Sequence, residues 1–130
     1  MNAITREWLE YAERDIKAAN HLLSLYPVPI EIVCFHCQQC AEKALKAVLV
    51  EHDIEPPKTH DLRELCQMCV EFDTAFQNLT AAFKDLTAYG VSPRYPNGLD
   101  LDERRMNEAL KDSRKVFDFV VSILEEGAEE

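Results

Sequence analysis

Glycine is nearly missing from this chain: 130 residues contain three, and the first is Gly90. A β-sandwich or barrel needs far more turn residues, so an all-β fold is excluded. Long apolar runs are missing too. No segment approaches the roughly 18 uninterrupted apolar residues of a membrane span. Met1 to Glu10 has no apolar run behind a basic stretch, which predicts a cytoplasmic protein with no membrane association. Basic charge is scarce: 14 Lys and Arg stand against 24 Asp and Glu, a formal net charge of −10. That balance reverses the phosphate attraction on which non-specific DNA or RNA binding depends, and it excludes such binding over most of the surface. Five cysteines are an odd number without an export signal, so reduced thiols rather than disulfides are expected.

What is present is helical periodicity. From Thr5 to about Leu25, Leu9, Ala12, Ile16, Ala19, Leu22 and Leu23 repeat at three- and four-residue steps, and Pro27 and Pro29 end the run. A second helix is expected from about Ile30 to His52. Pro56-Pro57 closes it, and Thr59 or Asp61 can cap a short third helix carrying Leu62, Leu65, Cys66 and Cys69. The spacing predicts a fourth helix from about Asp73 to Tyr89, with Phe76, Leu79, Ala82, Phe83 and Leu86, stopped by Gly90. The stretch 90–102, with two prolines, two glycines and an asparagine, reads as an irregular loop, the kind of segment that often carries function. Asp102 can cap a last helix with the stripe Met106, Ala109, Leu110, Ser113, Phe117, Val120 and Leu124. The expectation is one all-α domain over 1–130, an up-and-down four-helix bundle with an additional short helix and a solvated acidic tail at about 125–130.

Cys34, Cys37 and Cys40 raise the question of a metal site. Advancing about 100° per residue, they fall with Val33, Ala41, Ala44, Leu45 and Val48 in an arc of roughly 140° on the apolar face. Mid-helix cysteines on that face read as small core residues, whereas Cys-x-x-Cys zinc sites usually lie on turns. No metal is expected. The opposite face carries His36, Gln38, Gln39, Glu42, Lys43 and Lys46 around Phe35. It reads as a solvated face, a symmetric dimer contact or the wall of a pocket.

Taken together, "FHCQQCAEKALKAVL", "PPKTHDLREL" and "RYP" resemble the HEPN family, the higher-eukaryote and prokaryote nucleotide-binding domain. The matching residues are Phe35, His36, Gln38, Gln39, Glu42, Lys43, Leu45 and Lys46, then Pro57 to Leu62, then Arg94, Tyr95 and Pro96, and the likeness covers essentially the whole chain. The resemblance implies a helical bundle, frequently a homodimer. It also implies nucleotide binding (ATP or GTP) or partnership with a minimal nucleotidyltransferase in a toxin–antitoxin-like pair, with no cofactor. Other members are metal-independent ribonucleases with an arginine followed a few residues later by a histidine. Only Arg14 with His21 fits that spacing, and it lies on the first helix rather than in the later region where the family places it. Catalytic residues are therefore not assigned, and a ribonuclease toxin with a non-standard site is the alternative.

A nucleotide wants cationic donors for its phosphates and an aromatic wall for its base. Gln39, Lys43, Lys46, Lys58, His60, Arg94 and Tyr95 are the candidate ligand-binding residues. Each has a plainer reading. Lys43 and Lys46 can be exposed lysines paired with Glu42 or Glu51, His60 and Asp61 can form a cap and a local hydrogen bond, and Arg94 can serve an ion pair. A third reading uses His60 with Asp61 or Glu42 as general acid and base.

Overall fold

The computed structural model describes residues 1–89 and 101–129, the last three by backbone alone. Every regular element among them is helical: α1 (Ala3–Leu22), α2 (Ile30–Glu51), α3 (Leu62–Val70), a 3-10 segment (Thr74–Ala82), α4 (Phe83–Tyr89) and α5 (Glu103–Glu129). The all-α expectation holds. No helix among the described residues is long and apolar enough to cross a membrane.

Caps set the boundaries. Asn2 accepts from the Thr5 amide at 2.8 Å, Asp61 from Arg63 at 3.0 Å and Asp102 from Arg105 at 2.8 Å, each satisfying an amide that the first turn leaves open. Asp61, not Thr59, is the cap of α3. α2 ends without glycine. Asp53 takes the left-handed conformation (φ 59°), Asp53 N–H donates to the Val50 carbonyl and Ile54 N–H to that of Leu49, which is the Schellman closure.

The single fourth helix expected over 73–89 is corrected to two pieces, the 3-10 segment and α4. Phe76, Leu79 and Ala82 are spaced by three, the period of a 3-10 helix, and all three are buried. Thr74, Asn78 and Thr80 are weak α-formers, and the Asp73 carboxylate draws in the Ala75 amide at 2.9 Å.

α2 lies at the centre and packs against α1, α3, α4 and α5. It can do so because its inward residues are small: Cys34, Cys37, Cys40, Ala41, Ala44 and Ala47 are all fully buried. The Ser113 hydroxyl of α5 donates to the Cys37 carbonyl at 2.8 Å, a contact that only close helix approach permits. Cys69 donates to the Leu45 carbonyl (3.7 Å) and Cys66 to that of Phe76 (3.3 Å), so these thiols tie α3 to its neighbours. The core-face reading of the cysteines is borne out. Among the described residues no cluster of three or more His, Cys, Asp or Glu side chains is placed to hold a metal ion.

Candidate functional site on the second helix

α1 and α2 run antiparallel, and the polar face of α2 faces partly toward α1 and partly toward the connection into α3. It is not a solvated face. Gln38 is wholly buried, and Glu42 and Lys46 are 4% and 8% exposed. Buried polar groups need partners, and here they form two networks.

The first centres on Glu42. Its Oε1 lies 2.8 Å from His60 Nδ1 and accepts from Gln38 Nε2 at 3.1 Å, while Oε2 accepts from Lys46 Nζ at 3.1 Å. Gln38 Nε2 also donates to the His60 carbonyl at 3.1 Å, and Gln39 Nε2 donates to Gln38 Oε1 at 2.7 Å. Burial pushes the Glu42 pKa up, but the hydrogen bonds from His60, Gln38 and Lys46 and the Lys46 charge outweigh it, and the net direction is down. With the carboxylate ionised, His60 Nδ1 is the donor of this contact, which leaves Nε2 on the far side of the ring. That side chain is 61% exposed. An imidazole whose tautomer is fixed by a buried carboxylate can accept a proton from, or hydrogen-bond to, an incoming group.

The second network centres on Asp15 of α1. Its Oδ1 lies 2.9 Å from His36 Nδ1, and its Oδ2 accepts from Lys43 Nζ at 2.7 Å. Lys43 therefore pairs across helices rather than with Glu42 or Glu51. Lys46 does pair with Glu42, but as a buried pair rather than an exposed one.

Of the expected site residues, Gln39, Lys46 and His60 share one network and Lys43 sits in the other. Lys58 lies two residues before His60, exposed and with no ion pair among the described residues. Arg94 and Tyr95 lie outside the described residues. The local His60–Asp61 hydrogen bond is replaced by the contact to Glu42, while Asp61 caps α3. Asp15 and Gln38 were not among the expected site residues. The signal for Asp15 was available: a carboxylate three residues after Ala12 and four before Ala19 sits beside an apolar stripe and needs a cation there.

The HEPN domain model matches residues 5–125. The chain belongs to the HEPN family. It is 29% identical over 135 aligned residues to "Putative toxin MJ1304" of Methanocaldococcus jannaschii, an alignment that spans 92% of this chain and 87% of the relative. Among solved structures it is similar to TT1696 from Thermus thermophilus, with a TM-score of 0.79 and 27% identity over 91% of this chain and 96% of that one. It is also similar to ST0689, an archaeal HEPN homologue, with a TM-score of 0.72 and 25% identity over 91% and 95%. The polar residues of α2 that carry the resemblance, His36, Gln38, Gln39, Glu42, Lys43 and Lys46, are the ones in the two networks, and the "KTHD" stretch brings His60 onto the first.

Proposed function

We propose that this HEPN chain is the toxin-like half of a two-component pair and binds a nucleoside triphosphate, ATP or GTP, at the surface of the connection that carries Lys58 and His60, where His60 meets the polar face of α2. The observation that carries the reading is His60. Its ring is held by a buried, fully bonded carboxylate and remains largely open to solvent, an arrangement that spends buried polar contacts on orienting an exposed group. Lys58 adds an exposed cation on the same connection, suited to a phosphate. The name of the Methanocaldococcus relative supports the toxin-like role. A minimal nucleotidyltransferase, itself a user of nucleotides, is the partner this reading favours.

Thermal-shift titration with ATP and GTP tests it. A ligand at about a hundred times its dissociation constant should stabilise the fold by about 2.7 kcal/mol, and Lys58→Ala and His60→Ala should lose that shift. No shift at saturating nucleotide defeats the nucleotide reading and leaves the partner protein as the occupant of the surface.

The Glu42–His60 pair also favours a second reading, a metal-independent ribonuclease at a non-standard site. RNA cleavage in excess chelator that His60→Ala abolishes supports it; intact RNA removes it.

A further inference from the structure

Two stretches of this chain hold neither lysine nor arginine. Residues 47–57 carry Glu51, Asp53 and Glu55, residues 64–83 carry Glu64, Glu71 and Asp73, and His52 is the one base in either. The fold joins them at an aromatic stack: the rings of His52 and Phe72 lie face to face, 3.9 Å between centroids and 1° from parallel. His52 is the C-cap of α2, and Phe72 follows Glu71, the C-cap of α3, so both helices end here.

A helix C-terminus presents open carbonyls and the negative end of the macrodipole, and a lysine or arginine in the last turn is its usual complement. Neither α2 nor α3 has a basic residue in that turn. Carboxylates stand there instead. Asp53 follows His52 and Glu71 precedes Phe72; both are exposed, and the side chain of neither has an ion pair or hydrogen bond among the described residues. Their neighbours Glu51 and Asp73 are already engaged, Glu51 with the Thr5 hydroxyl at 3.0 Å and Asp73 with the Ala75 amide at 2.9 Å.

The ring beneath His52 is out of place as well. Of six phenylalanines, Phe72 is the exposed one, at 38%, whereas Phe76, Phe83 and Phe117 are buried and Phe35 and Phe119 half-buried. Like charges at two helix ends and an open aromatic ring are separate departures from local preference, and such departures gather where a protein binds something. One chemical group relieves both. A guanidinium lays its flat face on an aromatic ring while its N–H fork reaches carboxylates, and it is the cation that these helix ends lack. An ammonium has no flat face to stack. Ile54 and Val70, half-buried and two positions from each ring, offer apolar surface to the methylenes of an arginine side chain.

We propose that the joint end of α2 and α3 is a docking surface for a basic segment of a partner protein, which seats an arginine on the His52–Phe72 stack with Asp53 and Glu71 as its ion-pair acceptors. The chain's formal net charge of −10 steers such a segment toward it. The surface uses none of the residues of the nucleotide reading and stands without it.

Amide NMR titration of the full chain with a short unstructured peptide carrying a pair of arginines tests the surface, beside the same peptide with lysine in place of arginine. The arginine peptide should give saturating shifts centred on His52, Asp53, Glu71 and Phe72, and the lysine peptide should bind more weakly. Asp53→Asn combined with Glu71→Gln removes both charges, and asparagine tolerates the left-handed turn at 53; this double variant should weaken arginine-peptide binding about tenfold. Phe72→Leu should weaken it too and abolish the preference for arginine over lysine. Should Phe72→Leu disturb the fold, the double charge variant, altered only at exposed positions, carries the reading. Absence of saturating shifts at millimolar peptide, shifts spread over the acidic surface without a centre at the stack, equal binding of the two peptides, or a double variant that binds like wild type would each overturn the proposal.

Discussion

Glu42 Oε1 and His60 Nδ1 stand 2.8 Å apart, joining the centre of α2 to the connection that precedes α3. Gln38 holds the same connection by its backbone, donating to the His60 carbonyl. Glu42→Ala strips acceptors from Gln38, His60 and a Lys46 that is almost wholly buried. A loss of about 3–5 kcal/mol in urea unfolding is expected, the usual cost of leaving one member of a buried pair behind. His60→Ala removes only a largely exposed ring and should cost less than about 1.5 kcal/mol. The pH dependence has a definite sign. A carboxylate whose folded pKa is lowered contributes stability above its unfolded value, and that contribution is lost as pH falls through the folded one. Glu42→Gln should therefore blunt the acid-side decline. Equal losses for Glu42→Ala and His60→Ala would show that the ring, rather than Gln38 and Lys46, carries the energy.

Asp15 plays the corresponding part between α1 and α2. Lys43 and His36 share its two oxygens, and its side chain is 9% exposed while that of Lys43 is 27% exposed. A double-mutant cycle of Asp15→Asn with Lys43→Met should return a coupling of about 0.5–3 kcal/mol, well above that of an exposed pair. The exposed Arg114–Asp118 pair on α5 (3.7 Å) is the internal control and should couple weakly. Equal coupling for the two pairs would mean that burial adds nothing at Asp15.

Most of the fold was legible because it rests on apolar spacing. The cysteines of α2 declared their face through their angular neighbours, and Asp102 announced α5 as its cap. The break at 82/83 was written as the three-residue spacing of Phe76, Leu79 and Ala82, a signal easily absorbed into a helical pattern because three is also a helical step. The site was legible in residue type but not in partnership. The sequence around Glu42 offers Lys46 at i+4, and that pair forms; nothing local says that Gln38 turns inward or that Glu42 reaches a histidine 18 positions on. Such contacts depend on how the α2–α3 connection folds back, which periodicity does not encode.

The end of α2 offers a test of backbone strain. Asp53 adopts φ 59°, a conformation that disfavours residues with a Cβ, although aspartate tolerates it better than most. Its side chain is exposed, so Asp53→Gly loses no packing. Relief of the left-handed cost should exceed the entropy that glycine adds to the unfolded chain, giving a gain of up to about 1 kcal/mol. Asp53→Val, β-branched at the same φ, should destabilise by more than that. If the two variants unfold at the same denaturant midpoint, the Schellman closure is not held in the left-handed form in solution.

The buried thiols make stability fall on the alkaline side. Burial raises Cys34 and Cys66 to about 11 and Cys40 and Cys69 to about 12, against an ordinary value of 9.0, and it drives Cys37 higher still. Above pH 9.0 the unfolded chain sheds thiol protons while the folded chain keeps them. Stability is then present in full below that pH and declines as pH climbs toward the folded values. Each thiol contributes a slope approaching about 1.4 kcal/mol per pH unit, so five acting together outweigh any single ion pair described above. The informative window is pH 9 to about 9.5, where most tyrosine and lysine side chains still hold their protons. Urea midpoints followed through it should drop steeply for wild type and less steeply for Cys37→Ala, whose own neutral-pH cost is subtracted by comparing slopes rather than midpoints. Native thiols should also resist alkylation at pH 8 and react fully once urea opens the core. A flat alkaline limb, or fast alkylation of the folded chain, would mean that these thiols are reached by water and that the small-residue core of α2 is looser than its close contacts with α5 and α3 require.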